Sequence, residues 1–202
     1  MDLIMQQNRK ILLVDDEARI VDELFKVLTP QEVDNDELSE LEDHLFGTSE
    51  TNKKQTVSYD VCRCQQGDEA ICQVQKALEE EQPFAVAFID VQMPPGPDGV
   101  ATAEQIRKID PNIQIVIITG HSDFDVCEIA KRVPPEDKLL FLQKPIHSQE
   151  ITQFALALTA KWQSEHLLRK RNETLVDLNQ SLKENIDLRK ELENQREHTA
   201  EE

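Results

Sequence analysis

Short apolar runs alternating with amphipathic helical patterns set the tightest limit on what this chain can fold into. Ile11-Leu12-Leu13-Val14 is a continuous β-type run, and the stretch from Ala18 to Leu28 follows it with Ile20, Leu24, Val27 and Leu28 on one side. The rhythm then repeats. Strands are expected over Val57–Cys64, Phe84–Ile89, Ile113–Ile118 and Leu139–Leu142. Helices are expected over Gly67–Glu80, over Val100–Ile109 with Pro111 as its stop, over Asp123–Arg132 and from Ser148 onward. Apolar runs without polar alternation, separated by helices, indicate parallel strands covered on both faces. The expected fold class is therefore α/β, a doubly wound sheet of five parallel strands with a long C-terminal helix.

One connection breaks the rhythm. Connections in α/β units are typically about 2–6 residues, and the stretch from Pro30 to Thr56 is several times longer. It is rich in Asp and Glu and carries Leu38, Leu41, Leu45 and Phe46 at helical spacing, with Asp36 able to cap and Gly47 able to end a short helix. It reads either as an inserted acidic helix or as a plain surface loop. Charge divides the chain further on. The net charge is −18, yet residues 161–202 hold eight basic and ten acidic residues and neither Gly nor Pro. The acid excess thus lies in residues 1–160, expected to be one globular domain containing the inserted segment 30–56. Residues 161–202 are expected to be a helical extension.

Such an acidic chain does not collect phosphate backbones by bulk attraction, which disfavours direct nucleic-acid binding. No apolar run is long enough to span a membrane. The opening residues lack the basic start and apolar stretch of a signal peptide. Cys62, Cys64, Cys72 and Cys127 then read as reduced thiols of a cytoplasmic protein.

Ligands of an open parallel sheet sit beyond the carboxyl ends of its strands. The first expected strand runs into Asp15-Asp16, the third into Asp90, the fourth into Thr119 and the fifth into Lys144-Pro145. Brought together, three carboxylates repel one another and call for a cation or raised pKa values. Oxygen-only ligands favour a hard divalent ion, Mg²⁺ above all, since it keeps waters and accepts phosphoryl oxygens. A cation beside a carboxylate nucleophile and a lysine is what phosphoryl transfer requires.

These residues resemble the receiver domains of two-component response regulators. The matches are Ile-Leu-Leu-Val-Asp15-Asp16-Glu, Phe-Ile-Asp90-Val-Gln-Met93-Pro94 leading to Asp98-Gly99, Ile-Ile-Thr119-Gly120 and Leu-Gln-Lys144-Pro145. They span residue 9 to about 158 with 30–56 unmatched, and that insertion explains the long interval from Asp16 to Asp90. The resemblance implies a flavodoxin-like strand order 2-1-3-4-5. It implies Asp90 as phosphoacceptor, with Mg²⁺ held by Asp16, Asp90 and the backbone carbonyl of Gln92, and by Asp15 mostly through water. It also implies Lys144 on a phosphoryl oxygen, placed by a cis bond before Pro145, and Thr119 as hydroxyl donor. Gly120 leaves room for phosphoryl entry, and Phe141 is the aromatic switch residue that follows Thr119. The partner implied is a histidine kinase or a phosphotransfer protein. Self-phosphorylation and dephosphorylation at Asp90 are the only chemistry expected, so the chain is not expected to be an enzyme. The loop Met93-Pro-Pro-Gly-Pro-Asp-Gly99 is one residue longer than the commonest family form. With Lys161-Trp162 it resembles a receiver subgroup with a Met-Pro-Pro-Gly-x-Asp-Gly loop, the front ends of larger signalling proteins.

Other readings are weaker. An aspartate-nucleophile phosphatase usually needs a second acid two residues on, where this chain has Gln92. A phosphorelay shuttle has no use for the tail. His166 and His198 lack the surroundings of a phosphodonor histidine, and His121 is a loop residue beside Thr119. Cys62 and Cys64 share one strand face without a second pair at ligand spacing, which favours buried thiols over a metal pair. In the tail, Leu168, Leu175 and Leu182 recur at seven, with Leu178 and Leu192 between and beyond. This predicts a coiled coil with Asn172, Asn179 and Asn185 as register-setting candidates, and the step 178, 182, 186 resembles a stutter. Arg169-Lys170-Arg171 is too little basic charge for a basic-zipper DNA reader. The expected function is a phosphorylation-controlled switch that signals through a parallel coiled-coil homodimer of residues 161–202. The alternative is a receiver-like scaffold that takes no phosphoryl group and serves dimerisation or partner binding. No output domain is recognisable after residue 160, and the ending has no cap, so truncation after Glu202 is open.

Overall fold

The structure is a computed structural model that describes residues 7–30, 57–120 and 126–200, with the side chains of 188 and 191–200 left aside. The expected acidic helix within 30–56, His121 and the start of the Asp123–Arg132 helix lie outside the described residues, as do the side chains of Leu192 and His198. In chain order the elements are β1 (Lys10–Val14), α1 (Ala18–Leu28), β2 (Asp60–Cys64), α2 (Gly67–Glu79), β3 (Val86–Asp90), α3 (Gly99–Ile109), β4 (Gln114–Thr119), α4 (Val126–Arg132), β5 (Leu139–Gln143) and α5 (Ser148–Ala200), with a short 3-10 turn over Glu136–Lys138.

The five strands form one sheet in the order β2-β1-β3-β4-β5, and every pairing is parallel. Side chains alternate across a strand, so each apolar run feeds two cores. Leu12, Val14, Ala87, Ile89, Ile115 and Ile117 pack under α2, α3 and α4 with Val74, Ile106 and Ile129. Ile11, Leu13, Phe88, Val116 and Ile118 pack under α1 and α5 with Leu24, Leu28, Ile151 and Leu158. Covered faces on both sides explain why the central strands β1, β3 and β4 read as largely apolar runs, whereas the edge strand β2 carries Asp60 and Arg63 and is only part-buried.

Element edges shift where hydrogen bonding decides them. The expected strand Val57–Cys64 narrows to Asp60–Cys64, because the ladder with β1 opens at the Lys10–Asp60 pair. Tyr59 is buried outside the strand, and its N–H donates to the Leu28 carbonyl at 3.1 Å. The third helix begins at Gly99 rather than Val100, since Asp98 is its N-cap and accepts from the Ala101 N–H at 2.7 Å.

The chain separates into two compact units, Met1–Trp162 and Gln163–Glu202. Within the first, Trp162 is 4% exposed in the α1/α5 core and Lys161 pairs with Asp137 at 3.4 Å. In the second, the helix presents Leu168, Leu175, Leu178, Leu182 and Ile186, each more than half exposed. No described helix is long and apolar enough to cross a membrane.

Candidate functional site

Parallel register brings the polar strand ends to one edge of the sheet. Val14 pairs with Ile89, so Asp15 and Asp90 follow side by side on adjacent strands. Asp90 pairs with Ile118 and Thr119 with Gln143, which places Thr119 and Lys144 on the neighbouring ends. One carboxylate oxygen from each of Asp15, Asp16 and Asp90 lies within 4.8 Å of the others. Asp15 and Asp90 are buried at 2% and 4% exposure, and Asp16 is half-buried.

Lys144 bridges this group. Its Nζ lies 2.8 Å from Asp90 Oδ1 and 3.1 Å from Asp15 Oδ2. The Lys144 N–H donates to the Thr119 carbonyl at 2.8 Å, and the peptide bond before Pro145 is cis, as the resemblance implies. The carboxylates are aimed from their own backbone. Asp15 Oδ1 accepts from the Glu17 N–H at 2.8 Å, and Asp90 Oδ2 accepts from the Gln92 N–H at 3.1 Å. The Asp15 N–H in turn donates to the Cys64 carbonyl on β2 at 3.3 Å.

The electrostatics report an excess of negative charge. Burial raises the Asp15 pKa, and repulsion from Asp90 adds to it; the Glu17 N–H and Lys144 work against the rise without cancelling it. Burial alone would depress the Lys144 ammonium, but its hydrogen bonds and charge contacts to Asp90 and Asp15 prevail and raise it. Three carboxylates against one ammonium, all oxygen donors and two of them buried, are the donor set of a hard divalent cation. The residues present therefore fit Mg²⁺. Asp15, Asp16 and Asp90 are the side chains that would hold it.

Phe141 sits on β5 opposite Ile117, half-buried against the α2–α3–α4 core. Thr119 is half-buried at the end of β4. Cys64 is buried and Cys62 half-buried on the same side of β2, both in the apolar core, in keeping with thiols that pack.

Three contacts escaped the sequence reading. Gly99 packs so closely on the Asp90 backbone that a Cβ there would lie 1.8 Å from the Asp90 carbonyl oxygen. Asp98 caps the helix that Gly99 opens. Gln66 reaches the loop after β3, its Nε2 donating to the Pro94 carbonyl at 3.4 Å. The Asp98-Gly99 pair carried a signal for the first two, since an N-cap residue followed by glycine marks a close helix start. Nothing in the sequence pairs Gln66 with Pro94. Beside the loop a cavity of about 530 Å³ runs between Val91, Met93, Pro94 and Val100 on one side and Glu128, Ile129 and Arg132 of α4 on the other.

Comparison with solved structures gives the same fold. A CheY-like response regulator receiver domain protein from Methanospirillum hungatei is 16% identical, at a TM-score of 0.55, covering 78% of this chain and 98% of that one. A response regulator receiver protein from Sinorhizobium medicae is 23% identical, at 0.51, covering 77% and 98%. A fusion carrying the yeast Spc42 trimeric coiled coil is 16% identical, at 0.54, covering 89% and 97%. At these identities the likeness is one of fold. Comparison with curated proteins gives no match. The family model for the response regulator receiver domain matches residues 48–155, which takes in Asp90, Thr119, Phe141 and Lys144 and leaves β1 with Asp15 and Asp16 outside the matched stretch. That match covers more than half of the chain, and its strand-end residues converge with those of β1 at one sheet edge: the chain belongs to the family of response regulator receiver domains, modules of phosphorylation-controlled two-component signalling.

Proposed function

We propose that Asp90 accepts a phosphoryl group from a histidine kinase or a phosphotransfer protein, and that the change is transmitted through a parallel homodimer of residues 161–202. The observation that supports this most is the gathering of Asp15, Asp16 and Asp90 within 4.8 Å around Lys144. One Asp90 carboxylate oxygen attacks phosphorus in line, the bond from phosphorus to the donor imidazole breaks, and the imidazole nitrogen keeps the electron pair. Asp16, Asp90 and the Gln92 carbonyl would hold Mg²⁺, with Asp15 acting mostly through water, and the ion would supply neutralising charge to the phosphoryl oxygens. Lys144 pairs with one of those oxygens and the Thr119 hydroxyl donates to another. A phosphoryl group brings about −1.5 to −2 of charge, enough to favour an arrangement in which Thr119 and Phe141 turn inward and the α4–β5–α5 face repacks.

Incubation with an acyl phosphate and Mg²⁺, followed by intact mass measurement, is expected to add one phosphoryl group to the wild-type chain and none to Asp90→Asn. An equal gain in the variant would remove Asp90 as acceptor. No gain in the wild type would leave the non-phosphorylated scaffold in its place.

The tail reading is supported by its exposed side chains. Leu168, Leu175, Leu178, Leu182 and Ile186 are 51–58% exposed on one helix, and covering them in a paired helix stabilises it by roughly 1 kcal/mol each, about half the value of full aliphatic burial because each is already about half covered. A lone amphipathic helix has no such gain in water. Sedimentation of the full chain is expected to give a dimer, and Leu175→Asp combined with Leu182→Asp a monomer. A wild-type monomer, or a trimer, would overturn the dimer.

A further inference from the structure

We propose that Gln66, in the turn between β2 and α2, is a positioning residue that fixes the Gln92 carbonyl as a metal ligand; this rests on the receiver reading above. Gln92 follows Asp90 by two residues and opens the loop to α3. On its N-terminal side the backbone is tied down: the Val91 N–H donates to the Ile118 carbonyl at 3.0 Å, and the Val91 carbonyl accepts from the Gly99 N–H at 2.8 Å. On its C-terminal side Met93 is 1% exposed, but Pro94, Pro95 and Gly96 are exposed and have no core of their own to rest on.

The turn from the opposite side of the sheet edge meets that exposed segment. Gln66 Nε2 donates to the Pro94 carbonyl at 3.4 Å, and its amide oxygen lies so near Gly96 that a Cβ there would come within 2.5 Å. The next residue, Gly67, touches the same loop and helix: a Cβ on it would lie 3.0 Å from Pro97 Cγ and 2.1 Å from Thr102 Oγ1. Thr102 closes the ring by donating to the Asp98 carbonyl at 3.0 Å. Turn and loop therefore meet at two glycines with no room for side chains between them. The Gln92 carbonyl lies between two anchored carbonyls, Val91 held by the first N–H of α3 and Pro94 held by the Gln66 side chain. Mg²⁺ demands near-ideal octahedral geometry, so a loop freed at Pro94 spreads the position of the one backbone ligand and weakens the ion's binding. The extra residue in this loop makes such an outside anchor more useful than it would be for a tighter turn.

The test uses the full chain and Mn²⁺, titrated by water-proton relaxation, on wild type, Gln66→Ala, Gly96→Ala and the control Gln75→Ala, whose side chain is exposed on α2 and bonds Glu79. Partners that orient a ligand typically contribute ten- to a hundredfold to metal affinity, and for this single contact the Mn²⁺ dissociation constant is expected to rise about tenfold in Gln66→Ala. Gly96→Ala, which displaces the amide, is expected to follow it. Gln75→Ala is expected to match wild type, and the thermal midpoint without metal is expected to stay put in Gln66→Ala. Equal Mn²⁺ affinity in wild type and Gln66→Ala overturns the proposal. A wild type that binds Mn²⁺ yet takes no phosphoryl group from an acyl phosphate overturns the acceptor reading alone, with the Mn²⁺ comparison still deciding on Gln66. A wild type that binds no Mn²⁺ overturns both.

Discussion

Replacing Lys144 with Ala is expected to remove about 2–3 kcal/mol of stability at neutral pH and to slow phosphoryl acceptance by Asp90 on the order of 100-fold or more. The first figure comes from the geometry. Removing one partner of a fully buried ion pair typically costs about 3–5 kcal/mol, because the other charge is left uncompensated. Here the ammonium serves two carboxylates, but its side chain is 23% exposed against 6% for that of Asp90, so part of the loss is screened by water. The second figure is the usual consequence of withdrawing a preorganised donor from developing charge. The sign of the pH dependence follows from linkage. Without the ammonium, the Asp15 carboxyl, already raised by burial, is pushed further toward the protonated form in the folded state. A carboxyl whose folded pKa lies above its unfolded one destabilises the fold increasingly as pH rises through the interval between the two. The deficit of Lys144→Ala against wild type is therefore expected to shrink as pH falls toward 4. On the alkaline side, the raised Lys144 pKa means that the contribution of the ammonium holds up to about 10.5 and is lost as pH rises beyond it. Urea unfolding at pH 4.5, 7 and 9 measures the acid side, with the deficit expected to be equal at 7 and 9 and smaller at 4.5. A divalent cation is expected to restore part of the lost stability, since it supplies the missing positive charge. A deficit that grew on acidification would contradict the paired arrangement.

Gly99→Ala is expected to cost about 3 kcal/mol or more, and Gly120→Ala almost nothing. The added Cβ at Gly99 would lie 1.8 Å from the Asp90 carbonyl oxygen, 2.7 Å from its carbon and 2.9 Å from Val91 Cα. All three are backbone atoms of Asp90 and Val91 at the end of β3, so no flexible side chain can give way. Overpacking typically costs about 1–3 kcal/mol, and contact with backbone places this site at the upper end or beyond. Either α3 moves outward or Asp90 moves, and both disturb the acidic site. At Gly120, among the described residues, no atom lies within 4 Å of the same methyl group. Its stability effect is expected within about 0.5 kcal/mol. On the proposed reading Gly120→Ala still crowds the approach of the phosphodonor beside Thr119, so it should slow phosphorylation while leaving the urea midpoint unchanged. Gly99→Ala should lower both. Unfolding curves and acyl-phosphate labelling of the two variants separate a glycine needed for packing from one needed for access.

Most of the fold could be read from the chain because burial on both faces leaves an unmistakable trace. Ile11–Val14 and Phe84–Ile89 are apolar at every step and Ile113–Ile118 at every step but Gln114, and the structure places each across two cores. Strand ends were readable for the same reason: the first polar residues after such a run lie at the carboxyl edge, which marks Asp15, Asp90 and Thr119, and Lys144 one step past Gln143. What stayed hidden depends on atoms far apart in sequence. The start of β2 at Asp60 is set by its partner Lys10, not by the apolar Val57. The reach of Gln66 to Pro94 depends on how two loops meet. The closeness of Gly99 to the Asp90 carbonyl leaves no compositional mark beyond one glycine after a capping residue.

The two-sided sheet has a mechanical corollary at β5. Phe141 faces the core shared with α2, α3 and α4, whereas Leu140 and Leu142 face the core shared with α1 and α5. Neighbouring side chains on one strand cannot shift independently of the backbone that joins them. On the proposed switching, a displacement of Phe141 on the loop side would tug on the packing of Ile151, Leu158 and Trp162 on the other, and the edge strand would work as a rocker with its fulcrum in the ladder to β4. The sole tryptophan sits at the far end of that rocker, and its fluorescence is a built-in gauge of whether the stroke is delivered.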